Sequence, residues 1–123
     1  MKIRFRSEIK NGEELNEIDF TSSVEISKMN DFIVYEFLEP QNNIMNRIEV
    51  SSNIVNIFAG PSTIVLSLNE LIQNDYYTEA GVVMFDSKMN KLEISDNLIE
   101  FNYELGQINN LFGKFKIKLE ISE

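Results

Sequence analysis

The sequence holds no cysteine and no histidine among its 123 residues. The first absence removes disulfides, thiolate chemistry and every zinc site built on sulfur, and it suits a reducing compartment. The second excludes more. Ser-His-Asp and Cys-His catalysis, imidazole metal sites and imidazole pH switches cannot be built from this chain alone. A metal would have to be a hard cation held by oxygens. Positive charge is also scarce: 11 Lys and Arg stand against 20 Asp and Glu, a formal net charge of −9. Phosphate backbones and anionic lipid surfaces are bound through clustered Lys and Arg, so neither nucleic acid nor a membrane is expected as a partner. The acidity itself reads as solubility. No apolar run approaches the roughly 18 residues of a spanning helix. Met1-Lys2-Ile3-Arg4-Phe5-Arg6 interleaves charge where a secretory signal needs an unbroken apolar stretch. A cytoplasmic location is expected.

What is present is a folding signal. The length fits a single domain spanning residues 1–123, and a hydrophobic fraction of 43% is too high for disorder. The dominant pattern has period two. Ile3, Phe5 and Ile9 alternate with Lys2, Arg4 and Arg6; Ile18, Phe20, Val24 and Ile26 alternate with Glu17, Asp19 and Glu25. Phe115, Ile117, Leu119 and Ile121 alternate with Lys114, Lys116, Lys118 and Glu120. Strict alternation marks strands with one buried and one wet face. Asp31 to Leu38, Ile54 to Ala59 and Thr63 to Leu68 are apolar on both faces and rich in β-branched and aromatic residues, which again favours strands. Ile44 to Ser51, Val82 to Asp86, Lys91 to Ser95 and Leu98 to Leu105 complete the set. Ser67 to Asn74 holds the single helical candidate, at most one short turn near 68–74, because Leu68, Leu71 and Ile72 also fit a helical face.

Charge sets the pairing. The basic first strand complements the acidic second, and Glu100, Asn102 and Glu104 complement Lys114, Lys116 and Lys118. Opposite charges directly across a strand pair stabilise it by roughly 0.2–1 kcal/mol, and like charges repel. Both chain ends therefore read as hairpins, and an all-β antiparallel meander barrel of about 8–10 strands follows. Closing it first strand to last would set Lys2, Arg4 and Arg6 beside Lys114, Lys116 and Lys118, which makes that junction the expected weak point.

The segments Phe58-Ala59-Gly60-Pro61-Ser62-Thr63, Tyr77-Thr78-Glu79-Ala80-Gly81, Leu92-Glu93-Ile94 and Ile99 to Leu105 resemble the YwiB-like family, small uncharacterised bacterial proteins with a calycin-like, lipocalin-like β-barrel. The family's Thr-Pro-aromatic-Gly turn is represented here by Thr78-Glu79-Ala80-Gly81, which keeps the threonine and glycine only. The resemblance implies a closed barrel and carries no activity with it.

Four features are candidates for function. The basic band of Arg4, Arg6, Lys114, Lys116 and Lys118 is a candidate anion patch, against the plainer reading that flanking acids neutralise it. Ser7, Ser22, Asn46, Asn56 and Tyr103 fall on inward faces, with Tyr35 on a strand of undecided register. Of these, Asn46, Asn56, Tyr35 and Tyr103 are the candidate ligand-binding set, since buried polar groups need partners. The carboxylates at Glu13, Glu14, Glu17 and Asp19, and at Asp75 and Glu79, read as solvated turns, with Asn11-Gly12 a hairpin signal. Phe58 to Ser62 lacks the several glycines of a phosphate loop. No catalytic residue, metal or cofactor is assigned. The leading expectation is a non-enzymatic barrel binding a small apolar or amphipathic ligand inside. The alternative is an interaction module or homodimer using an outer sheet face.

Overall fold

The computed structural model describes residues 1–59, 62–107 and 110–123. Ten strands follow one another: β1 (Lys2–Asn11), β2 (Glu14–Met29), β3 (Phe32–Glu39), β4 (Ile44–Val50), β5 (Ile54–Ala59), β6 (Ser62–Ser67), β7 (Leu71–Thr78), β8 (Gly81–Ser95), β9 (Leu98–Gln107) and β10 (Asn110–Ser122). They form one sheet in the order β6-β5-β4-β3-β2-β1-β10-β9-β8-β7, antiparallel at every pairing. Every neighbour is a hairpin partner except β1 beside β10. The two ends of the order, β6 and β7, lie against each other, so the sheet curls into a nearly closed barrel. Among the described residues no helix is long and apolar enough to cross a membrane.

The alternation read from the sequence places the core. Ile3, Val24, Phe37, Ile48, Val55, Leu66, Met89, Phe101 and Leu119 belong to one contiguous cluster to which, among the described residues, every strand but β7 contributes. Rings organise its two halves. Phe5, Phe20 and Phe37 meet across β1, β2 and β3 with centroids 5.2–6.0 Å apart. Tyr103 lies flat on Phe115, 4.7 Å away at 2°, and continues to Phe101. The barrel is packed with side chains.

Two expectations about strands are corrected. The helical candidate is a turn: β6 ends at Ser67, Asn69 takes φ 62, and β7 starts at Leu71. Asparagine tolerates that left-handed conformation better than most residues. Leu71 and Ile72, which suggested a helical face, lie in a strand whose inward register includes the polar Asn74, opposite Phe85. The segments 82–86 and 91–95 are one strand, because buried Ser87 and Met89 continue β8 through a bulge between Met89 and Lys91. The hairpin signal at Asn11-Gly12 holds, with Asn11 opposite Glu14 and Gly12 at φ 62. The Gly60-Pro61 turn lies outside the described residues.

The junction of first and last strands is a larger correction. β1 and β10 pair at nine successive positions. The register staggers the charge: Arg4 faces Glu120 and Glu8 faces Lys116. The Arg6 guanidinium donates to Glu120 at 2.6 Å. Like charges face each other at two positions: at Arg6 and Lys118 the lysine is drawn aside to Glu120 at 3.6 Å, and at Lys10 and Lys114 the β10 lysine lies 3.6 Å from Glu104. Repulsion is thus relieved by Glu120 and Glu104, and this closure is continuous.

The seam lies between β6 and β7 instead, where no ladder forms among the described residues. Two buried side chains from β7 and β8 take the place of a strand. Asn74 Oδ1 accepts the Val65 N–H at 2.9 Å, Asn74 Nδ2 donates to Ser87 Oγ at 2.8 Å, and Ser87 Oγ donates to the Val65 carbonyl at 2.7 Å. Asn74 is 4% exposed and Ser87 0%, so water cannot substitute for either. The next turn reinforces the seam, with Asn69 N–H bonded to the Met89 carbonyl and Leu68 bridged to Met89 of β8. Asn74→Ala and Ser87→Ala should each lower unfolding free energy by about 1–3 kcal/mol, because each leaves a buried backbone group of Val65 unpaired. In urea denaturation the double variant should lose less than the sum of the singles, since both act on the same two backbone groups.

Candidate functional site

The outward face of β2, β1, β10, β9 and β8 carries ion pairs in register. Arg4 grips Asp19 with two bonds of 3.1 and 2.9 Å. Lys118 lies 4.0 Å from Glu100, which Lys91 also approaches at 3.5 Å. Lys114 lies 3.6 Å from Glu104. Of the candidate anion patch, Arg4, Arg6, Lys114 and Lys118 are therefore each engaged by a carboxylate. Lys116 alone has no ion pair among the described residues; Glu8 and Asn102 are its cross-strand neighbours.

This face is dished, with a depression of about 520 Å³. Arg6, Lys91, Lys116 and Lys118 line it together with Glu8, Glu17, Asp19 and Glu100. Four positive groups against four negative ones leave no excess to select an anion. The Arg6 Nε is shielded from water and has no hydrogen-bond partner among the described residues, while its Nη2 holds Glu120. The geometry is that of a register-setting charge ladder.

Electrostatics follow the same pairs. The hydrogen bond from Arg4 holds the Asp19 carboxyl below its ordinary value of 3.8, against the opposing effect of lost hydration. For Glu120, lost hydration pushes upward, but Arg6 and Lys118 outweigh it and the carboxyl also lies low.

The candidate ligand-binding set does not converge. Tyr35 and Tyr103 are core residues, 7% and 6% exposed, and burial pushes both phenols up, away from service as a base. Asn46 lies inward, opposite Phe37, with its amide donating to the Ile44 carbonyl at 3.3 Å. Asn56 is corrected: it faces outward, because Val55 and Ile57 take the inward positions of β5. There Asn56 donates to Glu49 at 3.2 Å. Glu49 is 4% exposed and also accepts two bonds from Arg47, at 3.0 and 2.8 Å. Arg47 in turn lies 5.7 Å above the Phe58 ring. This cluster is internally satisfied. Ser7 is buried and Ser22 half-buried on the inward face.

The sequence reading missed the end of the barrel. β9 meets β8 only from Asp86 onward, opposite Gly106, so residues 81–85 pair with β7 alone and the β7–β8 hairpin projects. At its base Ile64, Val83, Phe85, Leu105 and Phe112 line an apolar mouth of about 230 Å³. Val82, Met84 and Leu111 near it are about half exposed. The run Val82-Val83-Met84-Phe85, apolar on both faces, was the available signal. Beside the mouth, the Gln107 amide donates to the Met84 carbonyl at 2.8 Å. Among the described residues no cluster of three or more acidic side chains could hold a metal ion.

The family described as "Domain of unknown function (DUF1934)" matches residues 3–119. An uncharacterized protein of Mycoplasmopsis pulmonis is 41% identical over 127 residues, covering all of both chains. The crystal structure of the ywiB protein from Bacillus subtilis superposes with a TM-score of 0.75, covering 99% of this chain and 91% of that one at 11% identity. That likeness is one of fold, and the resemblance to YwiB-like proteins read from the sequence holds.

For the charge ladder the sign is definite. Asp19 has a depressed folded pKa, so its contribution to stability is complete above the unfolded value and is lost as pH falls through the folded one. A carboxyl-carbon NMR titration should place the Asp19 midpoint below 3.8. Arg4→Gln should move it back up, and high salt should do so in part.

Proposed function

The chain belongs to the DUF1934 family, and from that premise we propose that it is a non-enzymatic binding module that takes the apolar end of a small amphipathic ligand into the mouth of its barrel. The observation that carries this reading is the mouth itself, lined by Ile64, Val83, Phe85, Leu105 and Phe112. Its volume of about 230 Å³ falls below the roughly 300–1,000 Å³ of a whole small-molecule pocket. It therefore suits a short apolar segment rather than an enclosed ligand, with the polar end of the molecule left outside. The packed core below supports the same limit, because the ring stack of Phe101, Tyr103 and Phe115 fills the space a deeper pocket would need.

The non-enzymatic part of the reading rests on the candidate groups. Arg4, Arg6, Lys114 and Lys118 of the outer face are each held by a carboxylate, and the buried tyrosines are shifted away from reactivity. A second reading has its own observation. Val82, Val83 and Met84 on the projecting hairpin, and Leu71 and Leu111 in one depression at its foot, are exposed by 40% or more, as a surface contacted by a protein would be.

Binding of alkyl amphiphiles with about 6–12 carbons, followed through the methyl resonances of Ile64, Val83 and Leu105, tests the proposal. Val83→Asp should weaken binding about tenfold or more, since a carboxylate would have to be desolvated in the mouth. Ile94→Asp, at the other end of β8, should leave it unchanged. If no chain length moves those resonances, the ligand reading is wrong. Self-association that Val83→Asp abolishes would instead favour the interaction module.

A further inference from the structure

β2 is longer than its second partner. On one side β1 covers it from Glu14 to Ser23. On the other, β3 pairs only with Val24 to Met29. Among the described residues no strand lies along the remaining edge from Glu14 to Ser22. In an antiparallel sheet alternate residues turn both N–H and C=O to one side, so about half the residues of this stretch present an unpaired donor and acceptor. Residues 14–19 are all exposed, and with them Leu15 at 53% and Ile18 at 42%. The other seam of the barrel, at β6 and β7, is filled by Asn74 and Ser87. This one is open.

We propose that the free edge of β2 receives an extended basic segment of another protein as an additional strand. Charge argues for the partner's chemistry. Glu17 and Asp19 stand on the outward face of this stretch, and Glu14 follows the turn that begins it. Arg4 occupies Asp19, while Glu14 and Glu17 have no ion pair among the described residues. On its covered side Arg6 faces Asp19, while Glu8 faces Glu17 and leaves that acid without a cation across the pair. A second copy of β2 is disfavoured, because antiparallel self-pairing would bring these acids against themselves. On the inward face Ile18 and Phe20 lie along the edge, so the incoming strand should alternate basic residues outward with apolar ones inward over about eight residues.

The test uses the full chain and a blocked eight-residue peptide of alternating Lys and Val, with alternating Glu and Val as control. Backbone amide exchange and chemical shifts are read residue by residue. The Lys–Val peptide should slow exchange and shift resonances within residues 14–22 and spare the β5–β6 face, while the Glu–Val peptide does neither. Glu14→Gln with Glu17→Gln should weaken the peptide about tenfold while leaving the thermal unfolding midpoint and the β1 amides unchanged. A Lys–Val peptide N-methylated at alternate residues keeps its charge but cannot complete the ladder, and it should not bind. Three results would overturn the proposal: shifts spread evenly over the acidic surface, equal binding by the N-methylated peptide, or amides of residues 14–22 as fully protected in the free protein as those of β1.

Discussion

A curled sheet must satisfy the backbone groups of its first and last strands, and here that requirement falls on two side chains. Where β6 and β7 meet, the ladder stops, and Asn74 and Ser87 supply to Val65 the acceptor and donor that a strand would have supplied. The price of leaving those groups bare would be about 1–3 kcal/mol each, a sizeable part of the stability of a domain this size. The arrangement also fixes geometry. β7 and β8 are tied to β6 at one level, and what extends above that level becomes a free hairpin. The mouth lined by Ile64, Val83 and Phe85 sits at that point, so the candidate site depends on the seam.

The second organising term is charge used for register. A one-residue slip in a half-buried strand turns its whole apolar set outward, so register is already set by Ile3, Phe5, Ile117 and Leu119. The ion pairs agree with that choice. Arg4 with Asp19, Arg6 with Glu120, and Lys118 with Glu100 and Glu120 link β2, β1, β10 and β9. Exposed pairs of this kind are individually weak. Their value is agreement: the ion pairs form within the register that the hydrophobic choice already sets.

Legibility followed the same division. Strands wet on one face, such as β1, the first half of β2 and β10, could be read because alternation reports which way each residue points. Their partners followed from charge. The strands apolar on both faces could be recognised but not oriented, and Asn56 was placed inside for that reason; its neighbours Val55 and Ile57 hold the interior. β7 was hidden by the reverse effect, a polar residue at an inward position, since Asn74 interrupts the pattern that marks a strand. Ser87 divided β8 in the reading by the same means. Residues that repair a seam look like breaks in a sequence, because they are polar where the period demands an apolar side chain. The closure of β1 on β10 was misjudged because the basic positions were weighed without Glu120, which lies between Arg4, Arg6 and Lys118.

The places left for function have a common origin in strand length. β2 and β8 are 16 and 15 residues long, and neither has a partner of equal length on both sides. Each therefore passes from one neighbour to another partway along. β8 gains β9 only after its first five residues, which leaves a projecting hairpin and an apolar mouth. β2 gains β3 only for its last six, which leaves an acidic edge. A barrel of ten equal strands would have neither feature and would present a closed, solvated surface with a filled centre. Because the interior is packed, the surfaces that depart from a closed barrel lie where pairing runs out, and the sequence creates them by making two strands longer than the sheet around them requires.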